Sequence, residues 1–113
     1  MSNSIDRRYT PVGQSEMSGG ITIRFLGVFK KAYGGDQMSL ETNRKKETLR
    51  NIIQKAVESS PELRRLLIDP ELNDPLPNAV ILVNGKEIGI LKGLETEVGD
   101  RDEIVIIPVI HGG

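Results

Sequence analysis

The chain has no cysteine. Disulfides, Cys-ligated zinc and a cysteine nucleophile are therefore excluded. It has one histidine, His111, which argues against a His-based metal site or a Ser-His triad, and no metal ligand set is read from the sequence. No apolar run approaches the length of a membrane-spanning helix. The N-terminus lacks the continuous apolar stretch of a secretory signal. These absences lead us to expect a cytoplasmic protein with no membrane partner. A basic excess is missing too: 15 Lys and Arg stand against 16 Asp and Glu, for a formal net charge of -1. No direct nucleic-acid binding is expected from such a balance. Much of the usual enzyme machinery is thereby removed.

What is present fits one small domain. The chain has 113 residues, 37% of them apolar and 27% charged. That composition is ordinary but somewhat lean in core formers, so the few large apolar side chains must all be well placed. Residues 1–20 are rich in Ser, Gly and polar side chains without apolar period. They read as a disordered tail, because they bury too little surface to offset their ordering entropy. From Ile21 the pattern changes: Ile21, Ile23 and Phe25 alternate with Thr22, Arg24 and Leu26, which predicts a strand. Gly27 reads as a bulge or twist point, with the strand continuing weakly through Val28 and Phe29. Tyr33-Gly34-Gly35-Asp36 supplies a turn and Met38 and Leu40 a return strand, so residues 21–41 read as a hairpin with a loose loop.

Helical periodicity follows. Leu49, Ile52, Ile53, Ala56 and Val57 form one apolar stripe over residues 48–58, with Thr48 as N-cap and Asn43 as an earlier alternative. A short second helix is predicted with Ser60 as cap, Pro61 in its first position and Leu63, Leu66 and Leu67 on its apolar edge. Asp69-Pro70 ends it, and residues 70–78, with three prolines, read as a loop. Ala79 to Val83 is a short strand. Asn84-Gly85 is a type I′ turn signal, and Lys86 to Ile90 reads as the returning strand. Residues 92–103 are polar, with turns at Gly93, Gly99 and Asp100. The run Ile104-Val105-Ile106-Ile107 is β-branched and nearly continuous, the pattern of a central strand buried on both faces. Pro108 ends its ladder. One main helix against a mixed sheet is an α+β arrangement. Placing the last strand beside and parallel to the first gives the β-grasp, or ubiquitin-like, plan: four to five strands, one main helix and a short second one, over residues 21–108.

Residues 109–113 run off this domain as a flexible tail ending in Gly112-Gly113. Two other Gly-Gly pairs, Gly19-Gly20 and Gly34-Gly35, suit a linker and a turn. A terminal pair is rarer: composition alone puts one there in about one such chain in a hundred. It also has a chemical use. An α-carboxylate, with a reference pKa of about 3.5, can attack the α-phosphate of ATP to form an acyl-adenylate. A sulfide sulfur, a thiol or a lysine amine must then reach the Gly113 carbonyl carbon. Glycine leaves that carbon unhindered and lets the chain thread a narrow channel. Five residues beyond Pro108 can extend to about 17 Å, so the folded body can dock outside an active site that the tail enters. The lack of cysteine fits a passive carrier, since a thioester would have to form on a partner's thiol.

The stretch from Val98-Gly99-Asp100-Arg101-Asp102-Glu103 through Ile104-Val105-Ile106-Ile107-Pro108 to Val109-Ile110-His111-Gly112-Gly113 resembles the end of the MoaD/ThiS sulfur carriers and the ubiquitin-related modifier. The His-Gly-Gly ending looks most like the ubiquitin-related modifier, and Pro108 looks more like MoaD, the small subunit of molybdopterin synthase. The resemblance reaches back through Leu82-Val83-Asn84-Gly85, the helix around Leu49–Val57 and the strand Ile21–Leu26. Arg101 stands where MoaD-like turns usually carry glycine, and Val109 where a second proline is common.

The resemblance implies a carrier or modifier rather than an enzyme, adenylated at its terminal glycine by a ubiquitin-activating-type enzyme. That partner uses ATP, and the chain itself binds no cofactor. Gly113 would be the acyl carrier and Gly112 its spacer. The sulfur would pass to a pterin precursor through the large subunit of molybdopterin synthase, to a tRNA base through a tRNA thiolase, or to a thiazole. Alternatively, the chain would be joined to lysines of target proteins. A non-covalent β-grasp binding module is the third reading.

Other residues are candidates for partner docking: Ile106, Pro108 and Ile110 as an apolar surface beside the tail, and His111 as a contact to the activating enzyme or a plain tail residue. Lys30-Lys31, Arg44-Lys45-Lys46 and Arg64-Arg65 read as solvated faces, and Asp100, Asp102 and Glu103 as a capped turn rather than a cation site.

Overall fold

The computed structural model describes residues 19–42 and 45–110. Ten helices and strands of the described residues run β1 (Ile21–Phe25), α1 (Gly27–Tyr33), β2 (Gln37–Leu40), β3 (Glu47–Thr48), α2 (Leu49–Glu58), α3 (Pro61–Leu67), β4 (Ala79–Val83), β5 (Lys86–Glu87), β6 (Glu97–Val98) and β7 (Glu103–Pro108). Five strands form one mixed sheet in the order β2-β1-β7-β4-β5, and β3 and β6 form a separate two-stranded ladder. As the sequence suggests, the last strand lies at the centre, parallel to the first: Ile23 pairs with Ile104 and Phe25 with Ile106. This is the α+β, β-grasp architecture.

Alternation explains how the sheet receives its helices. Ile21, Ile23 and Phe25 of β1, Ile81 of β4 and Ile104 and Ile106 of β7 are at most 1% exposed. They share one face. Leu49, Ile52, Ile53, Ala56 and Val57 of α2 bury their stripe in the same core. Each of these side chains larger than Ala56 gains about 1.5–3 kcal/mol by leaving water. The helix starts behave as read: Thr48 Oγ1 accepts from the Asn51 N–H at 3.2 Å, and Ser60 Oγ from the Leu63 N–H at 3.2 Å. The alternative cap, Asn43, and Arg44 lie outside the described residues.

Three expectations are corrected. First, residues 27–33 are a helix, not a weak strand or loose loop. Phe29, Ala32 and Tyr33 recur at helical spacing, with Phe29 buried and the other two packed against the core. Seven residues, about two turns, are too few for that period to stand out. Gly34, read as a turn, is the left-handed C-cap, with φ 86° and its N–H on the Lys30 carbonyl. β1 and β2 are still antiparallel partners across this insertion. Second, the strand after the Asn84-Gly85 turn is only two residues long. Asn84 and Gly85 take positive φ as the type I′ signal requires, but Glu87 accepts the Gly89 N–H at 3.0 Å. A 3-10 turn at Ile88–Ile90 then drops Ile88 into the core. Third, β7 is buried on one face only. Ile104 and Ile106 are inside, whereas Val105 and Ile107 are half-exposed, because the helices cover one side of the sheet.

The acidic turn before β7 is satisfied internally. Asp102 accepts from the Gly99 N–H at 2.7 Å and from Asn84 Nδ2 at 3.0 Å. Glu103 pairs with Arg24 across β1 and β7, Nε to Oε2, at 2.6 Å. No metal-binding cluster occurs among the described residues. Arg101 has φ 72°, the left-handed conformation that glycine adopts freely. This explains why glycine is usual at that place in the resembling turns. The Arg101 N–H donates to the Gly20 carbonyl, and Gly20 is buried. Gly20 therefore packs on the body, whereas Gly19 is exposed. The rest of the expected N-terminal tail, residues 1–18, lies outside the described residues.

The one-sided layering makes a direct prediction. Ile52→Ala should cost about 2–5 kcal/mol of unfolding free energy, whereas Val105→Ala on the bare face should cost less than half as much. Urea titrations giving equal losses would contradict the assignment of faces.

Candidate functional site

The site is the place where the sheet releases the C-terminal chain. β7 is held there from both sides. Toward β1, the Leu26 N–H donates to the Ile106 carbonyl at 3.2 Å. The next link of that ladder would need an N–H at position 108, where proline has none. The Leu26 carbonyl is instead taken by the Phe29 N–H at 3.1 Å as α1 begins, so proline stands where no donor is required. Toward β4, Pro108 pairs with Ala79, and the Val109 N–H donates to the Asn78 carbonyl at 3.0 Å. Asn78 also donates its side-chain amide to the Leu67 carbonyl at 3.0 Å. It thus ties the end of α3 to the end of β7. Sequence reasoning did not single out Asn78; it lies in a loop read only by its prolines.

The anchored chain therefore extends one residue further than the proline suggests. Val109 is half-buried and hydrogen-bonded, whereas Ile110 is 90% exposed. His111, Gly112 and Gly113 lie outside the described residues.

Of the apolar residues proposed for docking, only some are accessible. Ile106 is 0% exposed and belongs to the core, because it shares the inward parity of Ile104 and the register places it beside Phe25 and Ile81. Pro108 is half-buried, and Ile110 is open. The accessible apolar surface lies on the opposite parity. Ile107 pairs with Val80 on one side and, one step beyond the Phe25–Ile106 pair, is flanked by Leu26 on the other. Val105 pairs with Leu82 and with Arg24. Leu26 is 43% and Val80 39% exposed. Leu26, Val80, Leu82, Val105 and Ile107 thus make a bare apolar face at the end of the sheet from which the tail leaves. The Arg24–Glu103 ion pair lies along the same face, Arg24 two residues before Leu26 and Glu103 two before Val105. The signal was in the sequence: alternation along β7 marks either its odd or its even residues as outward, and the fold selects the odd ones.

A compact α+β body with a rooted, outward-running C-terminal segment and an apolar face beside it defines a class: small β-grasp carriers and modifiers of the ubiquitin-like type. The comparisons agree. The model of the ThiS family matches residues 23–113, and the chain belongs to that family. A candidate sulfur carrier protein of Archaeoglobus fulgidus is 35% identical over 80 residues, covering 69% of this chain and 88% of the relative. Among solved structures, the small archaeal modifier protein 1 of Methanosarcina acetivorans is 24% identical and covers 84% of this chain and 97% of its own, with a TM-score of 0.72. Urm1 of Trypanosoma brucei is 22% identical over 84% of this chain and 96% of its own, with a TM-score of 0.70. These two share the fold. Members of the family are small carrier or modifier proteins rather than enzymes. No helix among the described residues is long and apolar enough to cross a membrane.

Hydrogen exchange checks the root of the tail. The Val109 amide should exchange slowly and the Ile110 amide fast. Asn78→Ala should cost about 0.5–1.5 kcal/mol by freeing the end of α3. Fast exchange at Val109 in the parent protein would mean that the tail begins before it.

Proposed function

We propose that this chain is a sulfur carrier whose working atom is the carbonyl carbon of Gly113. The observation that carries the reading is the family match, which runs through the last residue of the chain. The release of the chain at Ile110 supports it. In this reading a ubiquitin-activating-type enzyme docks on the bare face formed by Leu26, Val80, Val105 and Ile107 and takes the tail into its active site. A carboxylate oxygen of Gly113 attacks the α-phosphorus of ATP and pyrophosphate leaves. A hydrosulfide ion then attacks the acyl carbon, AMP leaves and the sulfur gives up its proton, so the terminal carboxylate becomes a thiocarboxylate. The ATP belongs to the partner. The acceptor is a pterin precursor on a molybdopterin-synthase large subunit or a tRNA base on a thiolase.

Conjugation to lysine amines through the same acyl-adenylate is the second reading. It is favoured by the His111-Gly112-Gly113 ending and by the fold shared with a protein named as a modifier. Intact mass separates the two after incubation with ATP, a cognate adenylating enzyme and a sulfur donor. Exchange of one oxygen for sulfur at the C-terminus is expected, and deletion of Gly112-Gly113 abolishes it. A ladder of larger species lost on the same deletion would instead make the chain a modifier. Neither product, with partner binding unaffected by the deletion, would leave a non-covalent binding module. On the bare face, Ile107→Glu should raise the KM for activation at least tenfold, the expected loss when a charge enters an apolar contact. An unchanged KM would move the docking surface elsewhere.

A further inference from the structure

Gly27 stands where β1 gives way to α1, facing the root of the tail. Its φ is +57°, in the left-handed region, and a β-carbon there would lie 2.8 Å from Cγ and 3.5 Å from Cδ of Pro108. Carbons in good contact sit about 3.5–4.0 Å apart. Gly34, at the other end of α1, has φ +86° but nothing within 4 Å of its would-be β-carbon. Both positions need left-handed backbone; Gly27 also needs the empty space.

The neighbours of that space have little freedom to yield. The Cγ of Pro108 belongs to a ring closed on its own backbone nitrogen, so it can change only between two puckers and cannot swing away as an open side chain would. The backbone of Pro108 is fixed by its pairing with Ala79, by the Leu26–Ile106 hydrogen bond just before it and by the Val109–Asn78 hydrogen bond just after. On the other side, Phe29 is 1% exposed and holds α1 to the core. A side chain at position 27 must therefore displace the root of the tail or lift α1.

We infer that Gly27 is a positioning residue for the C-terminal tail: by letting Pro108 close against the start of α1, it sets the direction in which Val109 and Ile110 leave the sheet. Its consequence for activation rests on Gly113 being the acyl carrier. The structural statement stands apart from that reading.

The test compares Gly27→Ala, Gly34→Ala, Pro108→Ala and the double variant Gly27→Ala/Pro108→Ala in the full chain. Residual dipolar couplings report the orientation of the Val109 and Ile110 amides. ATP–pyrophosphate exchange with an adenylating enzyme that accepts the parent protein reports activation. Both glycine variants place a β-carbon on left-handed backbone and share that strain, and Gly27→Ala adds the contact with Pro108. Only Gly27→Ala should shift the couplings at Val109 and Ile110. It should also lower kcat by about tenfold, as small misplacements of a reacting group do, with KM nearly unchanged because the bare face is intact. Removing the ring should restore both readouts in the double variant, closing the cycle. Should Gly27→Ala fail to fold, Gly27→Asn tolerates left-handed backbone, carries the same β-carbon and is read in the same way. Couplings and kcat in Gly27→Ala that match Gly34→Ala, or no recovery in the double variant, would overturn the inference. If the parent protein is not adenylated at all, the acyl-carrier reading fails, and the couplings alone decide the role of Gly27.

Discussion

The parallel pairing of β1 with β7 is the constraint on which the rest depends. It joins the first strand of the fold to the last, so every other element must fit into the crossover between them. It makes β7 central, with β4 on its other flank. It also sets which residues face the helices, since Ile23 beside Ile104 and Phe25 beside Ile106 fix one parity for the whole core. The root of the tail is assembled only when this pairing is complete. Its clamps come from Leu26 at the end of β1 and from Asn78 just before β4, segments far apart in the chain. Such non-local closure is entropically costly and tends to form late in folding.

The helices occupy one side of the sheet, and function on the proposed reading uses the other. Among the described residues, a single helical layer leaves Val105, Ile107 and Val80 uncovered. The same register that buries Ile106 turns Ile107 outward. The apolar face and the departing chain sit at the same end because both are set by where β7 stops. An enzyme seated on that face would find the tail beside it without any rearrangement of the body.

Much of this was legible in the sequence, for reasons that particular residues show. The stripe from Leu49 to Val57 and its Thr48 cap define α2, and Ser60-Pro61 defines the start of α3, because capping chemistry is local. The central place of the last strand beside the first followed from the β-branched run at Ile104–Ile107 and the alternation at Ile21–Phe25. α1 was missed because seven residues, opened by one glycine and closed by another, carry too little period. The returning strand was overextended because Ile88 obeys the core rather than the alternation. At the site, Pro108 marked the end of the ladder, but its parity did not show that Ile106 is sealed inside. Asn78 acts through its backbone carbonyl and a bond to Leu67, neither of which leaves a pattern in the sequence.

The shortness of β5 has a consequence for solubility. A sheet with one apolar face bare is prone to recruit further strands along its open edges, and long flat edges template aggregation. Here one edge ends in a two-residue stub that bends away into a 3-10 turn at Ile88. The other, β2, is four residues long and turns Gln37 and Ser39 outward. Neither offers much ladder for another chain to extend. The apolar face can therefore stay open to a docking partner while the hydrogen-bonding edges of the sheet resist growth into a polymer.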